Sequence, residues 1–157
     1  ILPGQYQFNG IQFVHPSPEA KYITSPFGRR SAPTAGASTY HQGIDLARSG
    51  GAEGRPIVAA ADGEVIWAGS ASGYGNLIEI LHAGGVSTRY GHMYASNIFV
   101  TVGQQVKMGQ KIAAIGAAGI GTGAHLHFEL RTGVGKSMSQ QGTAIDPQSN
   151  LGIVSEG

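Results

Sequence analysis

The stretch Gly123–Leu130, GAHLHFEL, places His125 and His127 two residues apart in an otherwise apolar run. Residues i and i+2 of a β-strand point to the same face. The two imidazoles therefore share one face with Glu129, while the leucine and phenylalanine that alternate with them take the other. The pattern predicts a strand with one face in the core and one polar face. Taken alone, the histidine pair fits a solvated surface as well as a functional site.

Short strand-like segments recur before this stretch, each bounded by Gly or Asp-Gly. They are PIVAAA at 56–61, GEVIWAG at 63–69, NLIEILH at 76–82, VSTRYGHM at 86–93, IFVTV at 98–102 and QKIAAIG at 110–116. No window carries a long helical period with caps. The sequence therefore predicts a mostly β fold with antiparallel strands, and a hairpin turn at Ala61–Glu64 between the first two segments.

Two of these regions repeat one pattern. GRPIVAAADGEVIWAG at 54–69 and GQQVKMGQKIAAIGAAG at 103–119 each contain a glycine, a Val-centred segment, a second glycine and an apolar strand closed by a third. Two similar hairpins packed on each other would bury both apolar faces. The repeat predicts a sandwich of two hairpin units.

Composition limits the classes of function. A chain of 157 residues suits one domain, and we expect it to be monomeric as this fragment. A net charge of +1, with Arg29-Arg30 as the only adjacent basic pair, argues against a nucleic-acid partner. Its apolar runs are far shorter than the ~20 residues of a membrane span. Because cysteine is absent, disulfides and thiol catalysis are excluded.

Three regions are predicted along the chain. Residues 1–20 are rich in Pro and Gly and lack periodicity, so we expect an irregular N-terminal lead-in. Residues 21–152 form the domain, with a loop at 31–39 (SAPTAGAST), and 153–157 form a tail that frays. Because the chain opens with Ile-Leu-Pro-Gly rather than Met or a signal peptide, we expect an excised or processed piece.

A second motif, HQGIDL at 41–46, supplies His41 and Asp45. In an extended chain these residues would lie roughly 13 Å apart, too far to share one ion, but Gly43 permits a turn that brings them together. With one histidine of the later pair they would form a two-histidine, one-carboxylate set. Such a set suits a catalytic Zn²⁺ that keeps its fourth position for water. Iron(II) uses the same ligands, but no redox or cosubstrate motif accompanies them here.

The remaining histidines carry less information. His92 lies in YGHM at the end of a strand segment, where a buried, hydrogen-bonded histidine would be ordinary. We expect His82 to be a structural histidine near the site. His15 lies in the proline-flanked lead-in, and no function is predicted for it.

The motifs HQGIDL, YGHM and GAHLHFEL, in this order, resemble those of the lysostaphin-type (LytM-like) zinc metallopeptidases, which cut peptide cross-links of bacterial cell walls. The resemblance runs from about Tyr22 to Arg131, and IDPQSNL at 145–151 resembles the closing segment of that family. It implies an antiparallel sheet core similar to a duplicated hybrid (barrel-sandwich) motif, with an active-site groove lined by loops. Ala124 and the loop at 31–39 depart from the commonest form without touching a presumed ligand.

The resemblance also implies roles for five residues. It assigns one Zn²⁺ to three ligands, His41, Asp45 and His127, and makes His125 and His92 catalytic. The implied activity is hydrolysis of peptide cross-links or stem peptides of peptidoglycan by a metal-activated water. The implied location is extracellular or facing the cell wall or periplasm, with a phage virion or lysis system as a further setting.

Two other classes are weighed against this enzyme. A non-catalytic LytM-like module would bind peptidoglycan or a protein partner, and we would expect it to lack metal ligands. A lipoyl- or biotinyl-like carrier is suggested by VGQQVKMGQKIAAIG at 102–116. In that case Lys107 would carry the modification, but its context differs from the usual one and the five site residues would have no purpose.

Overall fold

Strands dominate the computed structural model, which describes residues 5–29, 40–71, 73–117, 123–136 and 140–156. The strands are β1 (Gln5–Phe8), β2 (Ile11–Val14), β3 (Tyr22–Ser25), β4 (Gly28–Arg29), β5 (Tyr40–His41), β6 (Ile44–Ala47), β7 (Pro56–Val58), β8 (Gly63–Ala71), β9 (Gly75–Leu81), β10 (Ser87–Gly91), β11 (Gln105–Val106), β12 (Lys111–Ala114), β13 (Leu126–Val134) and β14 (Gln141–Ile145). A short helix, α1 (Pro147–Leu151), follows the last strand. The loop predicted at 31–39 lies outside the described residues.

The main sheet runs in the order β11-β8-β9-β10-β13-β6-β3. β14 also pairs with β13, beyond the residues of β13 that pair with β6. Every pairing in it is antiparallel, which confirms the predicted fold class. Within the described residues the sheet has two open ends and does not close into a barrel. β13 pairs with three strands, β10, β6 and β14, so the stretch that begins at Gly123 organises the sheet.

The two faces of the sheet differ in polarity. On one face, apolar side chains of β6, β9, β10 and β13 are fully buried, among them Ile44, Leu46, Ile78, Tyr90, Leu126 and Phe128. The other face carries His127 and Glu129 on β13, opposite Asp45 of β6 and Arg89 of β10. The alternation predicted from the sequence therefore holds, with the polar face available for a site.

The two repeated segments pair with each other rather than forming hairpins. β7 pairs with β12, and β8 pairs with β11, so the first strand of each unit joins the second strand of the other. The predicted hairpin turn at Ala61–Glu64 is therefore wrong as a hairpin, although the chain does bend there. Ala59 both donates to and accepts from the second unit, at Gln110 and Gly109, which leaves its backbone no hydrogen bond for β8. The predicted strand at 98–102 is also wrong, since only Ile98 makes a bridge, with Ala113.

The lead-in at 1–20 is more ordered than the sequence predicts. β1 and β2 form a hairpin, and Phe13 is completely buried in the core. Val14 N–H donates to Ala60 O at 2.8 Å, and Val58 N–H donates to Pro16 O at 2.8 Å. Pro and Gly here shape turns around a docked hairpin, so the expectation of an irregular segment is wrong for the part that the structure describes.

The predicted fraying tail also packs on the domain. Ile153 is buried, Glu156 N–H donates to Lys21 O at 2.9 Å, and Ser155 Oγ accepts from Ile23 N–H at 3.0 Å. The C-terminal segment thus borders β3. No helix in the described ranges is long and apolar enough to cross a membrane.

Candidate metal centre

His41 and Asp45 are brought together by the short connection between β5 and β6. His41 ends β5, and Asp45 is the second residue of β6. Gly43 lies between them against β13, where an added Cβ would lie 2.2 Å from Phe128 O. The glycine predicted as a turn residue is therefore needed chiefly because it lets this bend approach the β13 backbone.

His127 reaches the same point through strand register. β6 and β13 are antiparallel, and their pairing sets His127 directly opposite Asp45. Residues that face each other across antiparallel strands have Cβ atoms about 4.5–5.5 Å apart. A carboxylate and an imidazole in that position converge without any distortion of the sheet.

The three side chains present one atom each to a common point. Asp45 Oδ1 lies 3.1 Å from His41 Nε2 and 3.1 Å from His127 Nδ1, and the two nitrogens are 3.1 Å apart. Ligands about 2.0–2.1 Å from a tetrahedral zinc would be about 3.3–3.4 Å apart. The observed triangle is thus close to one face of a zinc tetrahedron, and its nitrogen and oxygen donors suit that metal.

Hydrogen bonds fix the orientation of both imidazoles. His41 Nδ1–H donates to Pro26 O at 2.9 Å, and His127 Nε2–H donates to Glu129 Oε2 at 2.7 Å. Because a carbonyl and a carboxylate accept but do not donate, the other nitrogen of each ring is left to carry the lone pair that a metal requires. Both lone pairs then point into the triangle.

Glu129 is itself held by its neighbours. It is 1% exposed, accepts from Tyr74 Oη–H at 2.7 Å, and pairs with Arg131 Nη1. Burial alone would raise the pKa of Glu129, but the hydrogen bonds from His127 and Tyr74 outweigh it and lower the pKa to about 2. Burial and the Glu129 charge raise the pKa of Tyr74 to about 12, so its hydroxyl stays protonated.

The charges around the triangle favour a cation. Burial acts against the charged forms, but the hydrogen bonds between Asp45 and the two imidazoles hold the pKa of Asp45 far below its usual range. Asp45 and Glu129 likewise raise the pKa of His127 to about 9, although burial opposes this. Two carboxylates around buried imidazoles therefore make a point of negative potential.

The two remaining predicted residues lie beside the triangle. His125 precedes β13, donates from Nδ1 to Gly123 O at 2.8 Å, and places Nε2 3.8 Å from Asp45 Oδ1. The ring centroid of His92 is 4.7 Å from that of His125. All five predicted site residues therefore meet in one cluster.

His92 is held in an unusual backbone conformation just after β10. Its φ is +76°, and its N–H donates to Tyr74 O at 2.9 Å. Residues other than glycine rarely adopt this region, and such residues cluster at functional sites. The turn points the His92 ring back over the polar face.

Sequence reasoning placed one histidine wrongly and missed several partners. His82 is structural, since its ring bonds to Asp62 O and Thr88 Oγ1. However, it follows the last residue of β9, whereas the row of the sheet that contains His127 crosses β9 at its other end, at Leu77. It is therefore not near the site. Glu129 was placed on the histidine face but given no role. Its spacing of two from His127 was the signal, whereas nothing local indicated Tyr74 or Arg131.

Comparison with known proteins identifies relatives of this chain. The DD-carboxypeptidase/endopeptidase Mpg of Neisseria meningitidis is 41% identical over 109 residues, which are 69% of this chain and 24% of that protein. The murein hydrolase activator NlpD of Salmonella typhimurium is 46% identical over 92 residues, 58% of this chain and 23% of that protein. The chain thus spans about a quarter of the length of these relatives.

The catalytic domain of the antimicrobial peptidase lysostaphin from Staphylococcus simulans has a similar structure. Its TM-score is 0.67 at 29% identity, covering 82% of this chain and 90% of that domain. The sequence model of Peptidase family M23 matches residues 39–147, a span that begins just before His41 and ends beyond His127. The resemblance read from three motifs is confirmed, and the chain belongs to Peptidase family M23.

Proposed function

We propose that this chain is a zinc-dependent endopeptidase that hydrolyses peptide cross-links or stem peptides of bacterial peptidoglycan. The observation that carries the proposal is the triangle of His41 Nε2, Asp45 Oδ1 and His127 Nδ1, whose edges are all 3.1 Å. A further imidazole, His125, lies within 3.8 Å of the same carboxylate. A structural zinc site would be closed by a fourth protein ligand, whereas three ligands leave a position for water.

Zinc held by this triangle would supply a Lewis acid for the scissile carbonyl and would lower the pKa of a water molecule to about 7. His125 is the residue in position to move the proton. Its Nδ1–H is committed to Gly123 O, so Nε2 is the atom that accepts a proton from the attacking water and returns it to the leaving amine.

His92 supports the same step. Its ring is packed 4.7 Å from His125 and 5.9 Å from His127, measured between centroids. An imidazole there can hold the water or stabilise the developing oxyanion. Glu129 keeps the His127 ring oriented, and Pro26 does the same for His41.

Two substitutions separate the ligand role from the proton-transfer role. We expect His127→Ala to lose both zinc and activity, because two ligands do not hold the ion tightly. We expect His125→Ala to keep stoichiometric zinc while hydrolysis of cell-wall peptide falls by about 10²–10⁴-fold. Metal analysis of the purified variants and a chelator control on the wild type measure both. A His125→Ala protein that has lost its zinc would contradict the assignment.

A second candidate is a module that binds peptidoglycan or a partner enzyme without cleaving. The observation that favours it is the 46% identity to a protein named as a murein hydrolase activator. Against it stands the complete ligand set, which such a module does not require. Stoichiometric zinc with no release of peptide fragments from isolated cell walls would favour the module, whereas chelator-sensitive release favours the peptidase.

The proposed substrate sets the proposed location. A peptidoglycan endopeptidase works outside the cytoplasmic membrane, in the cell wall or periplasm. Because the match covers only about a quarter of each relative's length, we propose this location for the domain alone.

A further inference from the structure

A cavity of about 420 Å³ lies on the polar face of the sheet, on the far side of Tyr74 from the metal centre. Tyr74 lines it, and the same ring lies 5.7 Å from the His127 ring. Gly91 lies beside both rings, and a Cβ added to it would lie 3.2 Å from Tyr74 Cδ1 and 3.4 Å from His127 Cβ. The Tyr74 ring thus lies over Gly91 and forms the ridge between metal centre and cavity.

The distance between the metal centre and the cavity fits an extended peptide that passes over the Tyr74 ring. Leu77, in the cavity, is level with Gly91 and His127 across two strand spacings. Two spacings of about 4.8 Å are about 10 Å, or about three residues of extended peptide. A substrate bound at the metal would therefore present a residue two or three positions away to the cavity.

The lining combines apolar surface with positive charge. Trp67, Leu77 and Ile66 supply apolar contacts, and Arg89 and Lys136 outweigh Glu79 to give the lining a formal charge of +1. Lys136 is largely exposed and pairs with Glu64 at 2.8 Å. The aliphatic part of a long side chain would suit the first group, and an acidic end would suit the second.

Arg89 is the buried cation of this cavity. It is 7% exposed, and its Nη1 donates to Tyr74 Oη at 3.1 Å. Its Nε lies 3.1 Å from Glu79 Oε2 but makes no directed hydrogen bond to any described residue. Glu79 Oε2 accepts instead from Ser87 Oγ at 2.8 Å. A guanidinium has five N–H donors, so Arg89 keeps hydrogen-bonding capacity for a carboxylate.

We propose that this cavity binds a substrate residue whose long side chain ends in a carboxylate, two or three positions from the cleaved bond. The inference rests on the proposed peptidase function for its register, but the cavity and its charge do not depend on it. Among cross-links of bacterial walls, diaminopimelate has such a side chain. Lysine has the same chain without the carboxylate, and glycine would leave the cavity empty.

Trp67, the only tryptophan of the chain, lines the cavity and reports on its occupancy. The experiment is stopped-flow fluorescence of zinc-loaded protein mixed with two matched peptides that differ only at the residue before the D-alanine of the cleaved bond. That residue, two positions from the bond, is diaminopimelate in one peptide and lysine in the other. Stopped flow records binding before turnover. We expect a change in Trp67 emission and a Kd at least about tenfold lower for the diaminopimelate peptide, as one charge-assisted hydrogen bond implies.

Two variants test which lining residues cause the preference for the diaminopimelate peptide. Lys136→Gln should reduce the ratio of the two Kd values by about threefold, and Arg89→Gln should abolish it. Arg55→Gln is the control, since Arg55 also pairs with an exposed carboxylate, Glu19, and does not line the cavity. Because Arg89→Gln leaves the buried Glu79 without its ion-pair partner and can unfold the protein, Lys136→Gln keeps the test decisive.

The outcomes separate this site from the peptidase proposal. Equal Kd values for the two peptides, or a preference that Lys136→Gln leaves intact, would overturn the carboxylate site. If the preference is present and neither peptide is cleaved, the site stands and the peptidase proposal fails. If both peptides are cleaved with equal kcat/KM and equal Kd, the peptidase stands and the site fails.

Discussion

Glu129 shows how a single buried carboxylate positions an imidazole that we propose as a metal ligand. It fixes the His127 ring through Nε2–H, and Tyr74 and Arg131 hold it in place. Carboxylates that orient a ligating histidine typically contribute 10–100-fold to metal affinity. At the scale of single residues, the orientation of donors is therefore as important as their identity.

Replacing this carboxylate by an amide tests that role. We expect Glu129→Gln to weaken zinc binding by about 10–100-fold, because the amide loses the charge that strengthens its bond to Nε2–H. Competition with a chromophoric chelator at neutral pH measures the affinity without reference to activity. Glu19→Gln, on an exposed carboxylate, is the control. Unchanged affinity in Glu129→Gln would show that the carboxylate does not orient the ring.

The clustering of the five candidate residues could largely be predicted from the sequence. The i, i+2 spacing of His125 and His127 puts both on one face, and a single glycine between His41 and Asp45 signals a bend. What the sequence did not contain is the register that sets Tyr74 beside Glu129, 55 residues away in the chain. Such contacts arise from tertiary pairing and leave no local pattern.

At the scale of elements, Gly43 decides how closely the first metal motif approaches β13. An added Cβ there would lie 2.2 Å from Phe128 O, a backbone atom that cannot move aside. The bend between β5 and β6 would have to retreat, and Asp45 would move away from His127. A glycine thus links the geometry of two strands to that of the metal centre.

We expect Gly43→Ala to lower the free energy of unfolding by about 3 kcal/mol and to weaken zinc binding, since overpacking commonly costs 1–3 kcal/mol. Gly54→Ala is the comparison, because Gly54 has a φ of +81° with open space around it, so that only backbone strain of about 1 kcal/mol is added. Urea unfolding and chelator competition measure both. Equal losses in the two variants would argue against a collision at Gly43.

Pairing between elements was the least predictable part of the fold. Each of the repeated segments, 54–69 and 103–119, contains two strands. These strands do not pair within their own segment, because β7 pairs with β12 and β8 pairs with β11. Asp62 Oδ1 accepts Met108 N–H at 2.7 Å, which ties the bend of one unit to the turn of the other. Local patterns predict that strands exist but do not choose their partners.

At the scale of the whole molecule, the described residues at 5–29 and 148–156, which lie outside the family match, are part of the folded unit. The hairpin of β1 and β2 contributes Phe13 to the core, and the following segment bonds to the β7 region. This packing could not be predicted from the sequence, because Pro and Gly indicate turns but not which parts of the fold the residues between them contact. His15 lies where this lead-in docks, and it is 4% exposed.

His15 makes the stability of the molecule depend on pH. Burial and the nearby Lys21 charge lower its pKa to about 4. Below its ordinary pKa of 6.5 the unfolded chain takes up a proton that the folded chain binds only near pH 4. Stability therefore falls as pH decreases from 6.5 to 4 and loses nothing further from this group below that, for a total of about 3 kcal/mol.

Urea unfolding at a series of pH values between 4 and 7 measures this dependence, with His15→Gln as the partner variant. Glutamine can accept the Ser17 N–H but does not titrate, so we expect its stability to fall less steeply through the same window. Zinc release and the titration of His82 affect both proteins alike, and the difference between the two curves isolates His15. Parallel curves would show that the docked lead-in tolerates a charged imidazole, and that the acid sensitivity of the molecule arises elsewhere.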